Sequence, residues 1–447
     1  MSTWSIDSWK QKTARQQAEY DDPAALERTL VQLSKLPPIV TSWEVEKLKG
    51  QLAAVGRGER FLLQGGDCSE KFSDCNSKVI DGKLKILLKM SLVLTHAGGQ
   101  KVVRLGRIAG QYAKPRSSNT ETRDGLTLPS YRGDLINRPA FTPEARRPDP
   151  ANLLEGYTRS AMTINFIRSL LSGGFADAHN PQVWDISFAD KAARSGDYAR
   201  LVREMNDAIR FLETMVGRRL DELEAPDFFI SHEGLHLPYE QAVSELPPLR
   251  DRWYNLGAHF LWIGNRTRSL DGSHIEYFRG IANPIGVKVG PATSPALIRQ
   301  LAEVLNPDNE PGKLTFIHRM GAGQVADKLP PLLEAVAASG HDVVWCCDPM
   351  HGNTYKTSGG FKTRAFDAIL RELELAFEAH AAAGTILGGV HFELTGEDVT
   401  EVVGGARGLG EGDLHRAYRS DVDPRLNHEQ ALELAFLISE QLRKHRR

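Results

Sequence analysis

The sequence predicts an α/β protein built on a (β/α)8 barrel, the TIM barrel fold. Eight short apolar segments recur along the chain with helical patterns between most of them, and each segment ends in a charged or polar residue. Parallel strands are buried on both faces and therefore read as continuous apolar runs. An open doubly wound sheet is the nearest alternative, but that fold normally keeps its ligand groups at one switch point. Polar residues at all eight strand ends favour the barrel.

The predicted elements begin with an N-terminal helical extension at residues 1–58, and the barrel follows at residues 59–447. In the extension, Asp22-Pro23 is a helix start signal, and nothing there looks catalytic. The strands are predicted at Arg60–Gln64, Lys101–Leu105, Phe228–Ser231, Phe260–Ile263, Gly286–Val289, Leu314–Ile317, Val343–Cys347 and Leu387–Phe392. The clearest helices of the barrel region are predicted at Val79–Thr95, Ser294–Leu305, Val325–Ala338, Phe361–Ala382 and Glu429–Arg443.

One connection, between the second and third strands at about residues 109–227, is far too long for an ordinary crossover. Its pattern predicts a helix over Ala151–Leu171, a short extra strand over Val183–Ile186 and a second helix over Asp197–Val216. Long insertions of this kind usually build lids, interfaces or regulatory sites. We therefore expect a helical insertion with one of these roles.

Composition excludes several classes of function. The 447 residues include 55 Lys and Arg against 57 Asp and Glu, so the charge balance does not indicate a nucleic-acid or membrane surface. No segment is apolar enough for a membrane span, and the first residues lack a signal-peptide pattern. Four cysteines in a chain of this length do not suggest a disulfide scaffold. We expect a cytoplasmic protein that binds neither nucleic acid nor membrane.

The segment His232-Glu-Gly-Leu-His236 formally matches the H-E-x-x-H motif of zinc proteases. That chemistry needs both histidines on one face of a helix. Here the segment follows a strand, contains Gly234 and meets Pro238, so a helix cannot readily hold it. We reject the protease interpretation and keep Glu233, at a strand end, as a candidate for acid/base work or water positioning.

Basic residues at strand ends point to a small anionic ligand. Arg107, Arg266, Lys288 and Arg319 would converge on one mouth of the barrel. Singly, each is expected to be a surface ion pair. Jointly they favour anion binding, because guanidinium groups bind phosphate and carboxylate bidentately. The segment Lys114–Ser118, just past the second strand, offers a place for a second phosphate.

Metal-type side chains also lie in the first, seventh and eighth strand-end loops and in the segment beyond, namely Cys68, His351, Glu393 and Asp423. One thiolate, one imidazole and two carboxylates suit a borderline divalent ion such as Mn²⁺, Co²⁺, Fe²⁺ or Zn²⁺ better than Ca²⁺. Their spacing has no CxxC or HxxxH signature. The alternative, a buried cysteine with solvated carboxylates, stays open at this point.

Seven long segments together resemble the class II, plant-like 3-deoxy-D-arabino-heptulosonate 7-phosphate (DAHP) synthases in their long form. The resemblance covers essentially the whole chain. The segments that carry it are Gln64-Gly-Gly-Asp-Cys-Ser-Glu70, Arg104-Leu-Gly-Arg-Ile-Ala-Gly-Gln-Tyr-Ala-Lys-Pro-Arg-Ser117, Trp262-Ile-Gly-Asn-Arg-Thr-Arg268, Asn283-Pro-Ile-Gly-Val-Lys-Val-Gly290, Cys347-Asp-Pro-Met-His-Gly-Asn353, His391-Phe-Glu-Leu-Thr-Gly-Glu-Asp-Val-Thr-Glu401 and Asp423-Pro-Arg-Leu-Asn427.

The resemblance implies a transferase that condenses phosphoenolpyruvate with erythrose 4-phosphate to give DAHP and phosphate. This is the first step of the shikimate pathway, which supplies chorismate and the aromatic amino acids. The resemblance also implies a divalent metal, Mn²⁺ or Co²⁺ before Zn²⁺ or Fe²⁺. The residues that would hold this metal are Cys68, His351, Glu393 and Asp423.

The same resemblance assigns the anion-binding residues. Those that would hold the phosphate and carboxylate of phosphoenolpyruvate are Arg107, Arg266, Lys288 and Arg319. Those that would hold the phosphate of erythrose 4-phosphate are Lys114, Arg116 and Ser117. We take Cys68, Lys288 and Glu233 as the catalytic candidates.

By resemblance, the extension and the insertion imply a homo-oligomer, either a dimer or a tetramer. They also imply allosteric feedback inhibition by an aromatic amino acid, with tryptophan as the first candidate, and chorismate mutase as a candidate partner. Two alternatives stay open. One is a metal-dependent sugar-phosphate aldolase, which would not need phosphoenolpyruvate. The other is a non-catalytic barrel that serves as a regulatory subunit.

Overall fold

The structure is a computed structural model that describes residues 3–173 and 226–445 together with six positions between them. Eight parallel strands close into a barrel in the order in which they follow one another along the chain. The predicted fold class is therefore confirmed. The strands β1–β8 are Arg60–Gly66, Lys101–Arg107, Phe229–Glu233, Phe260–Ile263, Ile285–Val289, Leu314–His318, Val344–Cys347 and Gly389–Glu393.

Helices surround the barrel, and most of them follow a strand. None of those that the structure describes has the length and apolar character that crossing a bilayer requires. The described helices α1–α12 are Pro23–Leu33, Ser42–Gly56, Ser77–His96, Pro143–Arg146, Ala151–Ser172, Leu237–Ala242, Ser273–Phe278, Pro295–Leu305, Val325–Lys328, Pro330–Ser339, Phe366–Ala382 and His428–Lys444.

Several strands run further toward their carboxyl ends than the sequence predicted. Arg107, Glu233, His318 and Glu393 are the last residues of β2, β3, β6 and β8, and each was expected just after its strand. The pairing of neighbouring strands continues through these positions, as in the pairs Gly66↔Arg107 and Gly66↔Glu393. Backbone hydrogen bonds therefore hold Arg107, Glu233 and Glu393 at fixed heights in the barrel mouth.

The N-terminal extension is packed into the barrel. Helix α2 begins with a capping box, in which the Glu44 N–H donates to Thr41 Oγ1 and the Thr41 N–H donates to Glu44 Oε2. Its side chains Leu48, Leu52 and Val55 are fully buried in the same cluster as inward-facing residues of the strands. Helix α2 thus closes the end of the barrel opposite the strand ends that carry the charged residues.

Two predicted helices have different bounds in the structure. The helix predicted over Val325–Ala338 is two helices, α9 and α10, because Pro330 cannot donate the hydrogen bond that a continuous helix needs. The helix predicted from Phe361 begins at Phe366. The residues before it, Lys362–Arg364, form a hairpin strand that pairs with Thr354–Lys356.

The insertion between β2 and β3 is described as far as residue 173. It holds a hairpin of Thr120–Arg123 with Leu126–Pro129, followed by α4 and α5. Helix α5 spans Ala151–Ser172, which agrees with the prediction to within one residue. The strand predicted at Val183–Ile186 and most of the helix predicted at Asp197–Val216 lie outside the described residues.

Candidate active site

A cavity of about 260 Å³ lies at the carboxyl ends of the barrel strands, and every strand or the loop after it contributes to its wall. Of the described residues, six lysines and arginines but three carboxylates line it. The mouth therefore carries an excess of positive charge, although the chain as a whole has a net charge of −2. Such a local excess favours a small ligand with several negative charges.

The metal-type side chains of the sequence prediction meet on one side of this cavity. Ligand atoms of Cys68, Glu393 and Asp423 all lie within 4.8 Å of one another, and all three residues are buried. Cys68 Sγ is 3.5 Å from Asp423 Oδ2. His351 joins the group through Glu393, because its Nε2 lies 3.0 Å from Glu393 Oε1. Residues that are up to 355 positions apart in the sequence thus face one point.

The electrostatics of this group fit a divalent cation. Burial, with the nearby Glu393 carboxylate, raises the pKa of the Cys68 thiol. Burial also opposes ionisation of Asp423, but Lys114, Arg364 and Lys362 together outweigh it and hold the pKa of that carboxyl below its usual range. The amines of Lys114 and Lys362 both contact Asp423, and Lys114 also contacts Cys68. The thiol and carboxylates therefore already attract positive charge, and the sulfur, nitrogen and oxygen donors suit a borderline divalent ion.

Arg107 links the metal-type group to the basic side of the cavity. Its Nη2 donates to Glu393 Oε1 at 3.2 Å, and its Nη1 donates to His391 Nε2 at 2.6 Å. The guanidinium also lies over the Trp262 ring, 5.2 Å from the ring centroid. Because these partners come from β4 and β8, the position of this cation is fixed by the barrel itself.

Lys288 and Asp348 form a buried ion pair at the base of the cavity. Burial lowers the pKa of Lys288, and the Asp348 carboxylate partly offsets that effect. Asp348 also accepts a hydrogen bond from His351 Nδ1 at 2.8 Å. With Nδ1 so engaged, His351 directs Nε2 toward Glu393, the orientation that a metal-binding imidazole requires.

Two arginines complete the basic side. Arg319 donates through Nη2 to the carbonyl oxygen of His351, and its Nε is buried without a hydrogen-bond partner. Arg266 is exposed at the rim and makes no ion pair with any described residue. Both guanidinium groups therefore keep donors available for an anion in the cavity.

Glu233 lies on the cavity wall, with its backbone N–H fixed by Gln111 Oε1 at 2.8 Å. Its Oε1 is buried and has no hydrogen-bond partner in the described part of the chain. Burial raises the pKa of this carboxyl, and the surrounding cations offset the effect only in part. A carboxyl with a raised pKa in a cleft is a candidate for proton transfer or water orientation.

The side chains of the H-E-x-x-H segment do not converge on one point. Glu233 faces the cavity, whereas His232 Nε2 contacts Glu240 at 3.1 Å and His236 Nε2 contacts the Tyr20 hydroxyl at 3.1 Å. The two histidines thus have separate partners and belong to different elements. This geometry agrees with the rejection of the protease interpretation.

Two predicted phosphate-binding residues do not reach this cavity. Arg116 pairs with Glu121 at 3.0 Å, and Ser117 is exposed on the loop beyond Pro115. Lys114 does line the cavity, but its amine contacts Asp423 and Cys68. The assignment of Lys114, Arg116 and Ser117 to one phosphate therefore stays a prediction of the resemblance.

Two cations of the site were not predicted. Lys362 contacts Asp423, and Arg364 Nη2 donates to Glu393 Oε2 at 2.6 Å. Both belong to the short hairpin strand that was expected to be part of a helix. The available signal was the alternation of two cations around the β-branched Thr363, because residues i and i+2 of a strand face the same side.

Comparison with known proteins places the chain in a family. The model of the class-II DAHP synthetase family matches residues 4–439. A phospho-2-dehydro-3-deoxyheptonate aldolase of Streptomyces coelicolor is 48% identical over 436 residues, covering 98% of this chain and 97% of the relative. Another of the same name, from Neurospora crassa, is 46% identical over 460 residues, covering 99% and 95%. A phospho-2-dehydro-3-deoxyheptonate aldolase AroG of Mycolicibacterium smegmatis is 46% identical over 443 residues, covering 98% and 94%.

Proposed function

The chain belongs to the class-II DAHP synthetase family and is an enzyme of aromatic biosynthesis, and on this premise we propose the details of its reaction. It condenses phosphoenolpyruvate with erythrose 4-phosphate in a metal-dependent reaction that yields DAHP and inorganic phosphate. The observation that carries the proposal is a barrel mouth that joins four metal-type side chains to an excess of cations. Two anionic substrates and one divalent cation match this division of the cavity.

The cations bind and orient the substrates. Phosphoenolpyruvate carries a phosphate and a carboxylate, which the guanidinium groups of Arg266 and Arg319 and the amine of Lys288 hold within the cavity. Arg107 keeps the bound anion next to the metal-type group, because its own position is fixed by Glu393 and Trp262. Holding two like-charged reactants at a fixed distance offsets their repulsion and removes the entropy cost of their encounter.

The residues that would hold the metal are Cys68, His351, Glu393 and Asp423. When bound there, a divalent cation supplies Lewis-acid polarisation of the aldehyde oxygen of erythrose 4-phosphate. Mn²⁺ or Co²⁺ fits the mixed donor set, with Zn²⁺ and Fe²⁺ as alternatives. Lys114 and Lys362 contact the same carboxylate, so they set the charge around the group.

The bond changes balance as follows. C3 of phosphoenolpyruvate forms a bond to the aldehyde carbon with the electrons of its C2=C3 π bond, the π bond of the aldehyde breaks, and the aldehyde oxygen takes up a proton. Water adds at the electron-poor C2 and gives up one proton, which balances the proton that the aldehyde oxygen took up. The C2–O bond to phosphate then breaks while the new C2 hydroxyl gives its proton to the leaving phosphate, which yields the ketone and inorganic phosphate. Glu233 is the candidate that orients this water or accepts its proton, because its carboxyl lies on the cavity wall with one oxygen unpartnered.

The direct test is phosphate release from phosphoenolpyruvate, measured with and without erythrose 4-phosphate. We expect phosphate and the seven-carbon sugar phosphate in equal amounts, and neither product when one substrate is omitted. A metal-dependent sugar-phosphate aldolase would instead convert its substrate without phosphoenolpyruvate. A non-catalytic regulatory barrel would give no product in any mixture.

We extend the proposal to assembly as a homo-oligomer, a dimer or a tetramer. Trp43 and Leu249 are 71% and 98% exposed, and the Arg250 guanidinium lies 4.4 Å from the Trp43 ring centroid. Large apolar side chains gathered on a surface support an interface. Sedimentation as a monomer at micromolar concentration would contradict it.

Feedback inhibition by an aromatic amino acid, tryptophan first, is a further part of the proposal. Its support is the long insertion and the N-terminal extension, which are the kinds of additions that build regulatory sites on barrels. Titration of phosphate release with tryptophan, phenylalanine and tyrosine tests it. Activity that none of the three amino acids changes would overturn it.

A further inference from the structure

A second group of metal-type side chains lies behind the barrel wall, between β6, β7 and α11. It consists of His318, Cys347 and Glu372, and we call it the outer cluster. Ligand atoms of the three residues all lie within 4.8 Å of one another, and each residue is fully buried. His318 and Cys347 end their strands as a register pair, and Glu372 comes from α11.

The outer cluster is separate from the cavity. The preceding residues of the two strands, Ile317 and Cys346, point into the barrel interior. Because side chains alternate along a strand, His318 and Cys347 point outward toward α11. None of the outer cluster's residues lines the cavity.

Neither ring nitrogen of His318 has a hydrogen-bond partner among the residues that the structure describes, although the residue has no exposed surface. Burial lowers its pKa to about 3, so the imidazole is neutral and keeps one nitrogen lone pair free. A buried polar group without a partner costs about 1–3 kcal/mol. The orphaned imidazole is thus an independent sign that a ligand belongs at this point.

Glu372 has hydrogen bonds but no countercharge. Its oxygens accept from the backbone N–H groups of Met320 and Gly321 at 2.7 and 2.9 Å, and from Asn353 Nδ2 at 2.7 Å. Within the described residues it forms no ion pair, and burial raises its pKa to about 7. Two carboxylate oxygens have about four lone-pair positions, so acceptor capacity remains.

We propose that His318, Cys347 and Glu372 form a second, structural cation site, with Zn²⁺ as its ion. One imidazole, one thiolate and one carboxylate are zinc ligands, and the two anionic ligands neutralise the two charges of the ion. Binding breaks the S–H bond of Cys347 and releases that proton to solvent, and no electrons are transferred. The ion would tie β6 and β7 to α11 directly behind the loops that carry Arg319 and His351.

Each of the two proposed metal sites contains one cysteine. The test therefore uses a variant that lacks Cys68, the cysteine of the cavity. The full-length Cys68→Ser variant is produced in medium with Co²⁺ in place of Zn²⁺, passed through a gel-filtration column with chelator, and analysed for cobalt. We expect about one equivalent of cobalt and a near-ultraviolet thiolate-to-cobalt charge-transfer band. Retention is expected because the outer cluster is closed to solvent. A folded Cys68→Ser protein with neither cobalt nor the band would overturn the proposal.

Paired variants locate the ligand. In the Cys68→Ser background, Cys347→Ser and His318→Asn should each abolish the band, whereas Cys346→Ser should keep it. Cys346 is the matched control because it is the buried neighbour on the opposite face of β7. Circular dichroism checks the folding of each variant. A band that survives Cys347→Ser, or that Cys346→Ser abolishes equally, would overturn the assignment.

Discussion

At the scale of single residues, the cations of the cavity differ in whether they have an ion-pair partner. Lys288 and Arg107 are held by Asp348 and Glu393, so removing either would take one positive partner away from a buried carboxylate. Arg266 is different, because it is exposed and has no ion-pair partner in the described part of the chain. Its removal therefore reports on ligand binding with little effect on folding.

We expect Arg266→Ala to raise the KM for phosphoenolpyruvate about 10- to 100-fold, since a hydrogen bond to a charged group contributes about 1.5–3 kcal/mol. The melting temperature should stay close to that of the unchanged protein. Steady-state kinetics with each substrate varied in turn measures the effect. The matched control is Arg299→Ala, which removes an exposed arginine of α8 that does not line the cavity. An unchanged KM for phosphoenolpyruvate would remove Arg266 from the site.

Individual site residues also differ in whether the sequence could predict them. Every strand-end residue chosen for the metal group and for phosphoenolpyruvate reaches the cavity, because an apolar run followed by a charged residue identifies the carboxyl end of a barrel strand. Lys362 and Arg364 were missed, since their segment continued an amphipathic pattern that belongs to α11. The contacts of Lys114 depend on a loop path that no local pattern encodes.

At the scale of elements, one side chain joins two of the loops that carry the site. Asn353, after β7, accepts from the Ala322 N–H at 2.9 Å, and its Nδ2 donates to Pro349 O and Glu372 Oε2 at 2.8 and 2.7 Å. These bonds tie the loop of His351 to the loop of Arg319. Asn353 is therefore a positioning residue for both substrate and metal binding.

We expect Asn353→Ala to weaken metal binding and to raise the KM for phosphoenolpyruvate, each about 10-fold, the low end of what support residues of a metal site contribute. Metal titration and kinetics measure the two effects, and Asn353→Asp should not restore the loss, because a carboxylate cannot donate to Pro349 O and would face the Glu372 carboxylate. A purely structural role would lower the melting temperature and leave both constants unchanged. That outcome would contradict the positioning role.

Element bounds were predictable where a cap or a proline marks them. Helix α1 begins as expected, with Asp22 accepting from the Ala25 N–H at 2.9 Å. Pro330 was visible in the sequence, and the prediction of one helix across it was wrong because a proline inside a helix removes a backbone donor. The packing of α2 against the barrel end is a tertiary contact, and helical periodicity alone does not specify its partner.

At the scale of the whole molecule, buried neutral histidines make stability depend on pH. Burial lowers the pKa of His236 to about 3 and that of His274 to about 4. Both groups titrate near 6.5 in an unfolded chain. The unfolded state therefore binds more protons below pH 6.5, and stability that is fully present above that pH is lost as the pH falls.

We expect the free energy of unfolding to fall by about 2 kcal/mol for each of these histidines between pH 6.5 and pH 5, since one pKa unit corresponds to 1.36 kcal/mol. Denaturant titrations at the two pH values measure it. His274→Gln should lower stability at pH 7, because the hydrogen bond to Leu235 O is disturbed, yet reduce the loss at pH 5. Equal pH dependence in the variant and the unchanged protein would contradict this account.

Part of the insertion, which was predicted to serve in assembly or regulation, lies outside the described residues. The extra strand predicted at Val183–Ile186 lies outside them, and so does most of the second insertion helix. A homo-oligomer, an aromatic effector and chorismate mutase as a partner stay predictions. The barrel and its cavity, by contrast, follow from patterns that repeat eight times along the chain.

The most direct measurement of the central claim is phosphate release from phosphoenolpyruvate and erythrose 4-phosphate before and after chelation. In the unchanged protein, we expect chelation to abolish activity and Mn²⁺ or Co²⁺ to restore it. Cys68→Ser should not be restored, whereas Cys75→Ser, which alters a half-buried cysteine outside the cavity, should be. Activity that survives chelation, or a Cys68→Ser variant with full metal-dependent activity, would contradict the account.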